Sequence, residues 1–135
     1  MIEQTVQNIL DSTLLTQGIL SSHLKRVQAN VAKLANGTQV TINQNIYVVF
    51  SILNANNGFG DGLPKTKKPY ININLYYTYN KTDASVSSIS AILKNITTAF
   101  LNTKQFALTN DWRDLYDTDG EFRGKNSEYR YIGVF

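Results

Sequence analysis

Residues 70–80 read YININLYYTYN, and their side chains alternate between apolar and polar. A repeat of two residues is typical of a β-strand with one face against a protein core. The side chains of the predicted core face are Ile71, Ile73, Leu75, Tyr77 and Tyr79. The opposite face carries no charge, and its side chains are Tyr70, Asn72, Asn74, Tyr76, Thr78 and Asn80. Such a neutral, tyrosine-lined face favours contact with another protein chain over contact with water.

A second strand and a long connection precede this stretch. Apolar side chains fall on even positions from Val40 to Ile52, and the clearest part of the pattern, IYVVFSIL, predicts a strand over residues 46–53. Residues 54–69, NANNGFGDGLPKTKKP, contain both prolines and several glycines, so they predict a loop. Loops of this length in compact domains are commonly functional or disordered. We therefore expect loop 54–69 to be a working part of the protein.

Helical spacing of apolar side chains predicts three helices. The first covers the first fifteen residues and is interrupted by Gly18. The second follows the capping candidates Ser21 and Ser22 and stops at Asn36, with an extended arm as the alternative; its apolar positions are Leu24, Val27, Val31 and Leu34. The third is capped by Asp83 and has the longest apolar stripe, formed by Val86, Ile89, Ile92, Leu93, Ile96, Ala99 and Phe100.

The C-terminal third mixes strand and turn signals. FALT at residues 106–109 and EYRYIGVF at 128–135 predict strands, and Asp119-Gly120 predicts a hairpin turn between DWRDLYD and the last strand. A chain of 135 residues is about one domain long. The order of elements predicts a single α+β domain over residues 1–135, with a mostly antiparallel sheet of about four strands and helices packed on one face.

Composition narrows the classes of function. The chain has 13 basic and 10 acidic residues, a net charge of +3, which is modest for a dedicated nucleic-acid binder. It has no cysteine, so disulfides and thiolate metal sites are excluded. No apolar run approaches the roughly 18 residues of a membrane span, and Glu3 does not fit a secretory signal. We therefore expect the mature N-terminus of a protein without a membrane partner.

Motifs for catalysis or cofactor binding fail on inspection. The only histidine, His23, adjoins Ser21 and Ser22, but neighbouring side chains on a helix point apart, so a solvent-facing or partly packed histidine is predicted. GFGDG at 58–62 leads into a strand, whereas a phosphate loop leads into a helix. DWRDLYDTDGEF at 111–122 is acidic, but a calcium-loop alignment places Leu115 and Asn126 at ligand positions. We predict no enzyme activity, catalytic residue, metal or cofactor.

Two alternatives stay open from the residues alone. A small hydrolase could use the acidic segment around Asp114, Asp117 and Glu121. A nucleic-acid or adaptor module could use the lysine cluster of loop 54–69, although its size favours a solvated tip or a protein contact over a nucleic acid; the cluster is Lys65, Lys67 and Lys68. No sequence-specific recognition of nucleic acid is expected.

The order of elements resembles the tail terminator, or tail completion, proteins of long-tailed bacteriophages and the related cap proteins of contractile injection systems. Residues 68–100, KPYININLYYTYNKTDASVSSISAILKNITTAF, are the closest local match, since the family has a long neutral strand that leads through a short turn into an amphipathic helix. The chain differs from the family at residues 18–40, where the family commonly has a shorter connection. A neck or connector adaptor of a short-tailed phage is the neighbouring alternative.

The resemblance implies a virion structural protein that is assembled in the host cytoplasm and forms a ring, commonly of six subunits. The ring would cap the tail tube, stop polymerisation of the tube protein and join the tail to the head connector. Its expected partners are therefore further copies of itself, the tube protein and the connector protein. On this chain the predicted contact residues are Tyr70, Asn72, Asn74, Tyr76, Thr78, Phe59, Lys65, Lys67, Lys68, Tyr129, Tyr131 and Phe135.

Overall fold

The structure, a computed structural model, describes residues 2–53, 69–78, 85–115 and 122–133. Two helices and seven strands follow one another in these ranges. The helices are α1 (Ile2–Leu14) and α2 (Ser85–Asn102), and a short 3₁₀ turn (Leu15–Gln17) extends α1. The strands are β1 (Leu20–His23), β2 (Val31–Lys33), β3 (Gln39–Thr41), β4 (Ile46–Leu53), β5 (Tyr70–Thr78), β6 (Phe106–Leu115) and β7 (Phe122–Tyr131).

Five of the strands form one mixed sheet in the order β1-β4-β5-β7-β6. β1 runs parallel to β4, and the other neighbours are antiparallel. β2 and β3 form a separate hairpin. The predicted α+β class is therefore confirmed, but the sheet has five strands instead of about four. The fifth strand is β1, and its parallel pairing makes the sheet mixed.

The predicted second helix is wrong and its alternative, an extended arm, is what the structure has: residues 20–23 pair with β4, and Val31–Lys33 form β2. Gly18 ends the helical segment with a φ of 75°, and a Cβ there would approach the carbonyl oxygen of Thr41 to 2.5 Å. The chain then enters β1, where Ser21 and Ser22 are buried. Leu24 has a φ of 71°, which no right-handed helix accommodates. The helical spacing of Leu24, Val27, Val31 and Leu34 therefore does not correspond to a helix that buries an apolar face.

One hydrophobic core joins both helices to one face of the sheet. α1 contributes Val6, Leu10 and Leu14, and α2 contributes Ile96 and Phe100, all fully buried. The sheet contributes alternate residues of its two most apolar strands: Ile46, Val48 and Phe50 from β4, and Ile71, Ile73 and Leu75 from β5. The predicted helices at residues 1–15 and after Asp83 are confirmed, because each buries its apolar stripe in this core.

The strand predictions hold with shifted bounds. β4 covers residues 46–53 as predicted, and β5 is described as far as Thr78. FALT and part of DWRDLYD form one strand, β6, whose pairing with β7 is irregular near Asn110. β7 starts at Phe122, six residues before the predicted Glu128. Residues 54–68 of the long loop, the cap Asp83 and the Asp119-Gly120 turn lie outside the described residues.

Candidate protein-binding surface

The second face of the sheet carries no helix among the described residues. We call it the helix-free face and define it by the side chains that alternate with those of the core. Cross-strand pairs fix its rows: Val49 lies opposite Asn74, which lies opposite Asn126. Its residues are Tyr47, Val49, Ser51 and Leu53 of β4, Tyr70, Asn72, Asn74, Tyr76 and Thr78 of β5, and Phe122, Asn126, Glu128 and Arg130 of β7. The polar side of YININLYYT is thus the middle of this face.

Aromatic rings form an ordered corner of the helix-free face. Tyr47 stacks on Tyr76 with 5.0 Å between ring centroids, and Phe122 meets Tyr47 edge-on at 5.3 Å. The guanidinium of Arg26 lies 4.2 Å from the Tyr47 ring centroid, and one of its N–H groups donates to the Gln44 carbonyl at 2.9 Å. Rings and guanidinium attract each other through the ring quadrupole. This aromatic corner is therefore held in place before any partner arrives.

A row of amides occupies the middle of the face. The Asn126 side chain is 5% exposed, and its Nδ2 donates to Asn74 Oδ1 at 2.6 Å. Arg113 on β6 donates from Nε to Asn126 Oδ1 at 3.1 Å. Because a buried amide needs partners for both its donor and its acceptor, these bonds fix the orientation of Asn126. The amide row, formed by Asn72, Asn74 and Asn126, is therefore uncharged, and the Asn126 amide has partners for both its donor and its acceptor.

Charged side chains flank the neutral row. The Glu128 carboxylate accepts hydrogen bonds from Thr109 Oγ1 at 2.8 Å and from Asn110 Nδ2 at 3.1 Å. The guanidinium of Arg130 lies 6.0 Å from the Tyr70 ring centroid, and no described residue accepts a hydrogen bond from its buried Nε. An unpaired buried donor costs free energy unless a ligand or solvent group reaches it. The Nε of Arg130 is therefore an uncompensated buried donor at this end of the face.

The predicted contact residues separate into three groups. The five on β5, from Tyr70 to Thr78, share the helix-free face. Tyr129 and Tyr131 are corrected: they lie on the core face, 0% and 8% exposed, because their positions on β7 alternate with those of Glu128 and Arg130. Their side chains cannot face a partner in the folded chain. The others lie outside the described residues and are Phe59, Lys65, Lys67, Lys68 and Phe135.

Tyr129 belongs to a small polar cluster inside the core. Its ring stacks on Phe100 at 4.7 Å, and its hydroxyl lies 3.0 Å from Thr97 Oγ1. Trp112 Nε1 donates to the same Thr97 oxygen at 2.9 Å and to the Leu93 carbonyl at 3.1 Å. Burial raises the pKa of the Tyr129 phenol, because the charged form would lose its hydration; the hydrogen bond with Thr97 works in the opposite direction.

The predicted behaviour of His23 is confirmed, since the residue is partly packed. Its ring stacks on Phe50 at 5.0 Å, and its Nδ1 lies 3.3 Å from a Glu3 carboxylate oxygen. The hydroxyl of Ser22 donates to the Lys25 carbonyl instead of to the histidine. Both serines thus have partners other than the imidazole, because Ser21 bonds within a network of Gln7 and Asp11.

The acidic segment is divided by the structure. Asp114 on β6 forms an ion pair with Lys125 on β7, and Asp111 accepts a hydrogen bond from the Trp112 backbone N–H. Asp117 and Glu121, the other residues of the hydrolase alternative, lie outside the described residues. Within the described ranges no three His, Asp or Glu side chains come close enough to hold a metal ion. No helix there is long and apolar enough to cross a membrane.

Sequence reasoning found the β5 half of the surface and missed its partners. Tyr47, Phe122 and Asn126 join the face only through the register of β4 and β7, which no local pattern of the sequence specifies. Arg26 reaches it from a segment that was predicted to be helical. Searches of protein-family models and of curated proteins return no match to this chain.

Proposed function

We propose that this chain is a ring-forming structural protein of a phage neck or tail end, which caps the tail tube, stops its polymerisation and joins the tail to the head connector. The observation that carries the proposal is the helix-free face, a sheet surface that no described helix covers and whose aromatic corner and amide row are ordered within the subunit. Its partners would be copies of itself, the tube protein and the connector protein, and its location would be the virion.

The composition of the face suits permanent contact with protein. Tyrosine and arginine are enriched in the buried centres of protein interfaces, where lysine and the acidic residues are depleted. β5 presents two tyrosines, two asparagines and one threonine to this face, without a charged side chain. The pairs of Tyr47 with Tyr76 and of Asn74 with Asn126 restrict side chains before binding, which lowers the entropy cost of association.

The resemblance implies that the chain assembles into a ring, and the helix-free face offers a surface through which such a ring would contact its neighbours. A capping ring works by shape and interface complementarity, so its subunits need flat, preformed faces more than they need reactive groups. A closed ring also requires two different patches on each subunit, because head-to-tail contacts are heterologous. The helix-free face would serve as one of the surfaces that meet the tube, the connector or the next subunit.

Complementation of phage particles tests the proposal. Particles assembled without this chain should have tails of irregular length or tails without heads, as seen by electron microscopy. The wild-type chain and Thr98→Asp, a substitution of an exposed residue on the helix side, should restore normal particles. Tyr76→Asp should fail to restore them although the chain still folds, because it places a charge in the aromatic corner. Normal, uniform tails with heads in the absence of the chain would refute the proposed function.

A further inference from the structure

An exposed apolar segment lies where the second helix was predicted. Residues 24–33, LKRVQANVAK, lead from β1 into β2, and we call them the apolar arm. Leu24 is 68% exposed, Val27 52% and Val31 47%. Exposed apolar side chains that are close along one segment can together form an interaction surface. The three side chains therefore present apolar area that the described part of the chain does not cover.

The apolar arm is anchored along its length. Leu24 N–H donates to the Phe50 carbonyl at 2.9 Å, and Ile42 N–H donates to the Asn30 carbonyl at 2.9 Å. Arg26 adds its hydrogen bond to Gln44 and its position over the Tyr47 ring. An anchored segment holds its exposed side chains in a defined arrangement. The apolar arm can therefore insert into a groove of a partner with little further loss of conformational entropy.

A complementary groove lies at the opposite edge of the sheet. It is an open groove of about 380 Å³ between α2 and β6, and we call it the α2–β6 groove. Its apolar lining is Leu93, Leu108 and Trp112, and the indole of Trp112 is held by Leu93 and Thr97. The rim is polar and includes Ser90, Lys94 and Asp111. Apolar side chains with a basic neighbour would suit such a groove.

The arm and the groove cannot meet within one subunit. β1, which leads into the arm, and β6, which lines the groove, are the two edge strands of the sheet. Four spacings of about 4.8 Å separate them, or roughly 19 Å. A contact between the two surfaces must therefore join two copies of the chain. Because the surfaces differ, the contact is heterologous and repeats from head to tail.

Charge favours a second copy as the occupant of the groove. The apolar arm has three basic residues and no acidic one. Asp111 lies on the groove rim and is exposed, whereas Asp114, which follows on the same strand, is already paired with Lys125, so Asp111 is the acid that the arm can meet. Lys94 on the rim has the same sign of charge as the arm. Arg113 is hydrogen-bonded to Asn126 of the helix-free face. Complementary charge across a contact fixes its register and raises the rate of encounter.

We propose that the apolar arm of one copy docks in the α2–β6 groove of the next, with Leu24 and Val27 against the apolar lining and Lys25 beside Asp111. The proposal deepens the proposed function, on which it rests for the closure of the contact into a ring. It assigns the neighbouring-subunit contact to the two edges of the sheet. The helix-free face is then left for the tube or the connector.

Site-directed disulfides test the contact, since the chain has no cysteine of its own. Val27→Cys and Ser90→Cys, carried on two copies with different tags, are mixed at high concentration and oxidised. The mixed disulfide should exceed both same-variant disulfides several-fold. Gln4→Cys, at an exposed position on α1, replaces Ser90→Cys as the matched control. One chain with both Val27→Cys and Ser90→Cys should give a ladder of oligomers on a denaturing gel.

Charge exchange tests the register in the same cysteine background. Lys25→Glu alone and Asp111→Lys alone should each lower the yield of mixed disulfide about twofold to fivefold, and the two together should restore it. Circular dichroism checks that each variant is folded. A mixed disulfide no more abundant than the Gln4→Cys control would overturn the proposal, and so would a dominant disulfide between two Val27→Cys copies.

The outcome is separable from that of the proposed function. If the disulfide test fails while Tyr76→Asp still abolishes normal particles, the arm contact is wrong and the neck function stands. If the mixed disulfide forms while particles assemble normally without the chain, the head-to-tail contact stands and the neck function is wrong.

Discussion

The two faces of the sheet are built from the same strands and stabilised in different ways. The core face is closed by α1 and α2, and its central residues on β4 and β5 are fully buried. The helix-free face is ordered by contacts between neighbouring strands, such as the stacking of Tyr47 on Tyr76 and the bond from Asn126 to Asn74. The core face stabilises the fold through burial of apolar area. The helix-free face is held in a defined arrangement by cross-strand pairs of side chains.

Because the two faces are stabilised differently, a substitution should change a different property of the protein on each face. A residue on the core face is coupled to folding, because removing it leaves a cavity among fixed neighbours. Apart from the buried Asn126, the residues that define the helix-free face border solvent in the isolated subunit, so the loss of one of their side chains is partly offset by hydration. Substitutions on the core face should therefore alter the free energy of unfolding, whereas those on the helix-free face should alter assembly.

Phe100→Ala should give the largest loss of stability. Phe100 is fully buried, stacks on Tyr129 and meets Phe106 edge-on at 5.0 Å. Truncation of a buried phenylalanine lowers the free energy of unfolding by about 3–5 kcal/mol. Urea denaturation followed by circular dichroism measures it, with Tyr76→Ala on the helix-free face as the matched aromatic control. A loss from Tyr76→Ala equal to that from Phe100→Ala would remove the distinction between the faces.

The sequence predicted the core face better than the rest of the molecule. Strands β4 and β5 and helices α1 and α2 have strong apolar periodicity, and burial of that periodic face decides their structure. Residues 24–34 show helical spacing too, but Leu24, Val27 and Val31 are exposed. There, the conformation follows from Gly18 and from pairing with β4. Both are effects of tertiary structure that a local pattern does not contain.

The helix-free face was predicted only along one strand. Period-two alternation places Asn74 and Tyr76 on the polar side of β5, and the structure confirms that side. Which residues lie beside them depends on the register of β4 and β7. The same register places Tyr129 in the core although it was predicted to be a contact residue. Tyrosine suits both a core and an interface, so residue type alone could not separate the two.

Tyr129→Phe, on the core face, should lower the free energy of unfolding by less than Phe100→Ala does, and by an amount that depends on pH. At neutral pH the loss of the hydrogen bond with Thr97 should lower the free energy of unfolding by about 0.5–1.5 kcal/mol. Because burial raises the pKa of Tyr129, the folded chain keeps the phenol proton at a pH where the unfolded chain releases it. The stabilisation contributed by the neutral Tyr129 phenol should therefore be fully present below the pKa of about 10 that tyrosine has in the unfolded chain. It should be lost as the pH rises above that value.

The comparison with the Tyr129→Phe variant isolates this titration from that of the other basic and phenolic groups. Urea midpoints measured from neutral pH into the alkaline range should converge for wild type and Tyr129→Phe above pH ~10, since only the wild type loses a proton on unfolding at this position. A difference in stability that stays constant across this range would contradict the buried, neutral phenol.

Arg26→Ala should have the smallest effect on stability, about 0.5–1 kcal/mol, because the guanidinium contributes two cation–π contacts, over Tyr47 at 4.2 Å and over Phe122 at 5.5 Å, at the partly exposed border of the helix-free face. Arg26→Lys is the matched control: it keeps the charge but loses the planar group that covers the Tyr47 ring and reaches Gln44. If the aromatic corner is part of a contact surface, both variants should fold normally and assemble poorly. Ring-current shifts of Tyr47 and Tyr76 in proton spectra report the order of the corner directly. Arg26→Ala chains that lose the stacking yet complement particles fully would show that the order of this corner has no part in assembly, and would confine the working surface to the rest of β5.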